Sequence, residues 1–238
     1  YSHFLSLPLS VHPSLVQKLE AFQESVLVSL GIPLLTVAGF VDSGVEKSIF
    51  IKPTRFHLTV LMLKLWNEER VEKARGVLEK CLPDVAAALD ERPVSVSLKG
   101  LEIMRGSPKN TRVLFAKVAD ADGGSRLSKV CQVMIDAFVE AGLVLGKDGE
   151  QELKLHATVM NTSHRRSKSR YRNKGFDATD ILAKFGEETW GDYQIMEAHL
   201  SERFKYDENG YYHCCGSIPF PGSTVETGVS QGTSQHDT

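Results

Sequence analysis

The chain is 238 residues long and 42% hydrophobic, enough apolar material for a core in one large domain or two small lobes. Its 28 basic residues nearly balance 30 acidic ones, for a net charge of −2, which excludes binding to nucleic acid or membrane through global charge; a basic site must be local. No apolar run approaches the roughly 20 residues of a membrane span, and the start Tyr1-Ser2-His3 does not read as a signal peptide. The four cysteines lack C-x-x-C spacing and fit a reducing intracellular compartment. A start at Tyr1-Ser2-His3, without an initiating Met, is expected of a fragment of a longer protein.

In chain order, His3 to Leu9 is a short apolar strand, and Pro13 opens a helix with Leu15, Leu19, Phe22 and Val26 at helical spacing, closed by Gly31 and Pro33. Ile49 to Lys52 and Phe56 to Leu65 read as extended, the second a central buried strand. Asn67 with Glu68 and Glu69 caps a helix that buries Val71, Ala74, Val77, Leu78 and Cys81 and stops near Pro83. Pro93 to Leu101 alternates and pairs with Val113 to Val118 as a hairpin. Leu127, Val130, Cys131, Met134, Ile135, Phe138 and Val139 form an amphipathic stripe ended by Gly142. Leu153 to Met160 is a strand, Ile181, Leu182 and Phe185 mark a short helix, and Tyr193 to Tyr206 and Tyr211 to Pro219 flank the hairpin signal Asn209-Gly210. This order predicts an α+β fold for residues 1–220 and a disordered Ser/Thr/Gly/Gln-rich tail over 221–238.

Two segments carry chemistry. Phe56-His57-Leu58-Thr59-Val60 and Leu155-His156-Ala157-Thr158-Val159 share one template, apolar-His-apolar-Thr-apolar, roughly 100 positions apart in a loose internal duplication. Composition predicts about 0.03 chance occurrences of that template, so two hits are improbable by accident. On a strand, residues i and i+2 point to the same face, so each His and its Thr face one cleft while Leu58 and Ala157 pack behind. Two imidazoles can divide proton transfer between attacking and leaving oxygens without a metal, and the Thr hydroxyls can hold non-bridging phosphoryl oxygens.

Paired His-x-Thr strands resemble the signature of the two-histidine (2H), LigT-like phosphoesterases. His3-Phe4-Leu5, Asp42-Ser43-Gly44-Val45, Ser48-Ile49-Phe50, Lys154 to Thr162 and Phe176-Asp177 narrow the resemblance to the phosphoesterase domains of activating signal cointegrator complexes and the nucleotide-binding domain of A-kinase anchoring proteins. The resemblance implies a two-lobed α+β fold with pseudo-twofold symmetry, antiparallel sheets flanked by helices, and one motif from each of two interleaved lobes lining a central cleft. It implies His57, Thr59, His156 and Thr158 as catalytic residues, a phosphodiester beside a ribose 2′ or 3′ oxygen as substrate, and no cofactor. It further implies RNA or a nucleotide as partner, membership of a cointegrator-like complex, and a nuclear or cytoplasmic setting. Relatives often carry an RNA-binding KH domain ahead of this region. The other reading of the same cleft is a nucleotide- or RNA-binding recruitment module with little turnover.

Zinc at the paired histidines is disfavoured because no carboxylate or Cys stands at ligand spacing beside either one, and His213-Cys214-Cys215, on a strand whose neighbours alternate, reads as core and surface; no metal is expected. The segment His164 to Lys174 holds six cations and no acid immediately after the second motif. Arg165 and Arg166 are candidates for phosphate contact, Tyr171 for stacking on a base, and Arg203 is a further cationic candidate.

Overall fold

A computed structural model describes residues 1–31, 43–145, 153–165 and 174–223. The strands are β1 (His3–Pro8), β2 (His57–Leu63), β3 (Ser95–Ile103), β4 (Val113–Asp120), β5 (His156–Asn161), β6 (Thr189–Gln194), β7 (Glu197–Tyr206) and β8 (Tyr212–Pro219). The helices are α1 (Pro13–Ser29), α2 (Glu68–Lys80), α3 (Leu82–Ala88), α4 (Arg126–Glu140) and α5 (Thr179–Phe185). Among the described residues the eight strands form one antiparallel sheet in the order β6-β3-β4-β5-β2-β1-β7-β8.

The two motif strands lie side by side at the centre, and the order reads outward alike on both sides: β2-β1-β7-β8 in one half, β5-β4-β3-β6 in the other. The equivalent units are β1-α1-β2 and β4-α4-β5, with a further helix after each motif strand, α2 after β2 and α5 after β5. The helices are exchanged between halves. α1, which follows β1, packs beside β6, where Phe22 meets Trp190 edge-on at 5.3 Å and Lys18 Nζ donates to the Trp190 carbonyl. α4, which follows β4, packs against α2, α3 and β2 of the other half. One hydrophobic core runs behind the sheet, and Leu58 and Ala157 belong to it with no exposure at all.

Several elements form as their patterns dictate. Leu127, Val130, Cys131, Met134, Ile135 and Phe138 are the buried stripe of α4, while Val139 at its margin is 44% exposed. Cys81 and Cys131 are buried free thiols. Asn67 caps α2, its Oδ1 accepting the Arg70 N–H at 3.1 Å, with Glu68 and Glu69 in the positive first turn. Asn67→Ala is expected to lower stability by about 1 kcal/mol, read as a shifted urea midpoint with an unchanged denaturant slope.

Three elements depart from the sequence pattern. Ile49 to Lys52 is not a strand: Lys47–Ile49 and Pro53–Arg55 are 3-10 turns, and between them Phe50 bridges Met160 while the Ile51 N–H donates to Val159. Pro53, which lacks an N–H, interrupts any ladder there. The helix capped by Asn67 does stop near Pro83, at Lys80, but a second helix, α3, begins at Leu82 with Pro83 in its first turn, where a missing N–H costs nothing. Tyr193 to Tyr206 is not one strand: it breaks at Ile195-Met196 because β6 pairs with β3 at one edge of the sheet and β7 pairs with β1 in the other half. The basic run beyond Arg165 (166–173) and most of the tail (224–238) lie outside the described residues.

Candidate active site

The centre of the sheet is set by a single pairing, Leu58 opposite Ala157 on antiparallel β2 and β5. One step outward in that register places His57 across from Thr158 and Thr59 across from His156, with side chains directly opposite each other about 5 Å apart at Cβ. Leu58 and Ala157 turn into the core, so the four polar side chains form a diamond on the other face, each partly accessible.

Both imidazoles are oriented by the same local device. His57 Nδ1 donates to the Arg55 carbonyl at 2.7 Å and His156 Nδ1 to the Lys154 carbonyl at 2.8 Å, in each case the residue two positions upstream. A carbonyl can only accept, so Nδ1 carries the proton in both rings and Nε2 is the atom available to the cleft. The Thr59 hydroxyl donates to His57 Nε2 at 3.1 Å. Burial pushes the His57 pKa down to about 4; the Arg55 carbonyl opposes the shift, and the neighbouring His156 and His164 add to it. His57 is therefore neutral at neutral pH with a basic nitrogen facing its threonine.

The walls come from distant parts of the chain. Phe4 lies 5.1 Å from the His57 ring, Tyr212 stands edge-on at 5.4 Å, and Phe115 packs edge-on against His156 at 5.4 Å. Phe4, Tyr211 and Tyr212 with Met62 form a small apolar cluster on the cleft face, apart from the main core. A cross-strand row continues outward from Thr59: Ser6 pairs with Thr59 on one side and with His199 on the other. Ser6 Oγ bonds Ser201 Oγ at 2.9 Å and the Tyr211 hydroxyl at 3.1 Å.

The cationic candidates divide. Arg165 is buried, its guanidinium donating to the carbonyls of Lys174 and Gly44 and lying 3.8 Å from Glu46. In this position it ties Lys174 and Gly44 together through their carbonyls. Arg166 and Tyr171 lie outside the described residues. Arg203 donates to the Tyr1 carbonyl, and its charge acts on His164 and Tyr212. Sequence spacing misses Arg55 and His164. Arg55 stacks on Tyr206 with its guanidinium carbon 3.3 Å from the ring centroid, and its charge, like that of Arg203, acts on Tyr212 and on His164, the last residue of the 3-10 turn after β5. Burial and these two arginines hold His164 below its ordinary pKa. Arg55, two residues before His57, was legible as a cation in the first motif; its partners, from the β7–β8 turn, were not.

Two histidines on this face predict opposite pH effects on stability. His57 titrates near 4 when folded and near 6.5 when unfolded, so the unfolded chain binds more protons between those values and stability rises with pH across that window, by about 2–3 kcal/mol. His199 behaves in reverse. Burial alone would lower it, but the neighbouring Cys214 and Glu197, whose carboxylate lies 2.9 Å from Nε2, lift it to about 9. Its contribution is complete below 6.5 and disappears as pH rises through about 9. Urea midpoints are expected to peak near pH 6.5, and Glu197→Gln should flatten the alkaline limb; an alkaline slope identical to that of the wild type would refute the assignment.

Comparison with known proteins agrees with this architecture. The AKAP7 2′5′ RNA ligase-like domain matches residues 1–220. The chain is 30% identical over 239 residues to activating signal cointegrator 1 complex subunit 1 of Mus musculus, covering 92% of this chain and 63% of that one. It is 23% identical over 218 residues to A-kinase anchor protein 7 isoform gamma of Homo sapiens, covering 91% and 56%. It thus spans less than two thirds of each. Among solved structures, a protein of Thermus thermophilus aligns with a TM-score of 0.53 at 17% identity, covering 93% of this chain and 99% of that one. E. coli LigT complexed with 3′-AMP gives 0.51 at 12%, covering 92% and 97%. At such identities these two speak for the fold alone. With its paired central motif strands and a domain match over nearly its whole described length, the chain belongs to the AKAP7 2′5′ RNA ligase-like domain family of the two-histidine phosphoesterases.

Proposed function

We propose that the protein is a metal-independent phosphodiesterase that hydrolyses a phosphodiester beside a ribose 2′ or 3′ oxygen, as in a 2′,3′-cyclic phosphate or an RNA 3′ end. The observation that carries this reading is the diamond of His57, Thr59, His156 and Thr158 around the Leu58–Ala157 pair, with each imidazole held so that Nε2 faces the cleft. A phosphoryl group seated there accepts hydrogen bonds from both threonine hydroxyls on its non-bridging oxygens. Neutral His57 takes a proton from the attacking water through Nε2 as the new P–O bond forms. His156, protonated on Nε2, gives its proton to the departing ribose oxygen as the old P–O bond breaks. Arg55 and Arg203 add positive charge on the His57 side of the cleft, around His164 and Tyr212, where an RNA backbone would enter.

The relatives support this substrate class. The chain is 23% identical over 160 residues to a protein of Archaeoglobus fulgidus named RNA 2′,3′-cyclic phosphodiesterase, and the LigT structure above holds 3′-AMP. The name of the mouse relative favours assembly into a cointegrator-type complex, for which a nuclear or cytoplasmic setting is proposed. The test is an assay of 2′,3′-cyclic nucleotides and short 3′-ended RNAs in the presence of chelator, with products resolved by chromatography. Product formation that survives chelation and is lost in His57→Ala and His156→Ala supports the reading. Nucleotide protection against heat unfolding without any product would instead make the cleft a recruitment site.

A further inference from the structure

The back of the β1-β7-β8 half carries donors that the proposed chemistry does not use. Phe4 faces His57, so by strand alternation its neighbour His3 points through the sheet to the opposite side. There His3 from β1, Glu202 from β7 and Cys215 from β8 bring an imidazole nitrogen, a carboxylate oxygen and a sulfur within 4.8 Å of one another. His3 and Glu202 are register partners. Cys215 is the extra residue where the β7–β8 ladder slips between the pairs Leu200–Gly216 and Ser201–Cys214, a bulge of the kind that re-aims a side chain. Its sequence neighbour Cys214 acts on His199, on the cleft side.

The hydrogen bonding of His3 fixes which nitrogen is bare. Ser2 Oγ has a single hydrogen, which goes to the Leu65 carbonyl at 2.9 Å, and one of its lone pairs takes the Leu65 N–H at 2.9 Å. Its 3.0 Å contact with His3 Nδ1 therefore has Nδ1 as donor. In the neutral ring Nε2 then holds a free lone pair, on a residue only 6% exposed. A ligating histidine is normally prepared in this way, with its other N–H held by a fixed acceptor.

We propose that His3, Glu202 and Cys215 bind a zinc ion, with solvent or the Glu68 carboxylate from the first turn of α2 completing a tetrahedron. The donor set of imidazole, carboxylate and thiolate suits zinc and is too soft for magnesium or calcium. Glu202 keeps an oxygen for the ion while the other meets Lys205 Nζ at 3.1 Å, and the charge of Glu68 acts on both His3 and Cys215. His213, paired with Asp207 at 2.7 Å, stands outside the set. On coordination the Cys215 thiol releases its proton to solvent as the S–Zn bond forms. The ion would clamp β1 to the β7–β8 hairpin, the two chain-distant pieces that build the half of the sheet carrying His57.

The test uses the full chain without an oligohistidine tag, freed of metal with chelator and titrated with Zn²⁺ and Co²⁺. The expected result is one ion per chain, a thiolate-to-cobalt charge-transfer band, and a rise in melting temperature with zinc. Cys215→Ala should abolish the band and the thermal shift, and Ser2→Ala, which removes the acceptor that orients the ring together with the two Ser2–Leu65 hydrogen bonds but no ligand, should weaken zinc by about 10–100-fold. Circular dichroism establishes that both variants are folded, and Glu202→Gln supplies an independent ligand variant. His57→Ala/His156→Ala should bind zinc like the wild type. Zinc affinity unchanged in Cys215→Ala, a cobalt spectrum without the thiolate band, or binding lost in the cleft variant would each overturn the proposal.

Discussion

Alanine at either His57 or His156 is expected to lower kcat on a 2′,3′-cyclic nucleotide by about 10²–10⁴-fold, the usual contribution of a positioned acid or base. The two losses should be similar because the rings are held by matching contacts, 2.7 Å and 2.8 Å from Nδ1 to a carbonyl two residues upstream, on strands related by one central pairing. The double variant should fall well short of the product of the single losses, since neither proton transfer helps without the other. Thr59→Val and Thr158→Val remove one donor to the phosphoryl oxygens each and should cost about 10²-fold. Single-turnover rates at saturating substrate separate these effects from product release. A His156→Ala protein that turns over at the wild-type rate would remove the acid from the scheme and leave the diamond as a binding site.

Leu58→Ala should destabilise the fold by about 2–5 kcal/mol, the range for removing a large buried aliphatic side chain. The upper part of that range is expected. Leu58 has no exposure, and its partner across the seam, Ala157, is already small, so little can move in to fill the space. The β2–β5 pairing is also the join between the halves of the sheet, supplemented by the Phe50–Met160 bridge and the bond from Ile51 to Val159. Urea unfolding with a lowered midpoint and an unchanged slope checks the prediction. A loss below about 1 kcal/mol would mean that the seam is not packed as described.

What the sequence displayed was whatever a short period encodes. Strand alternation in His57-Leu58-Thr59 and His156-Ala157-Thr158 announces which side chains share a face, and the 3.6-residue stripe from Leu127 to Phe138 announces α4. Asn67 is legible for a similar reason, because a cap is a contact over three residues. Pairings across long stretches of chain leave no such trace. Nothing local in Tyr193 to Tyr206 says that its two ends join opposite halves of the sheet, nor that Phe4 and Tyr212 meet beside His57. Charge was legible while its direction was not: Arg165 reads as a phosphate-facing cation in a basic run, yet its guanidinium turns inward onto the Gly44 and Lys174 carbonyls. Pro83 shows the remaining ambiguity, since the same residue that stops a helix from within starts one from its first turn.

The exchange of α1 and α4 between the two halves has a mechanical consequence. A ladder as short as the one joining β2 to β5 would by itself make a hinge, and a two-part cleft built on a hinge could open and close like a jaw. Here each half is overlaid by a helix tethered to the other, through Phe22 and Lys18 on Trp190 at one end and through α4 on α2 and β2 at the other. Bending at the centre would have to tear both helices from their beds at once. The spacing between the two imidazoles is therefore braced like a truss, and adaptation to different substrates falls to the side chains and turns at the rim.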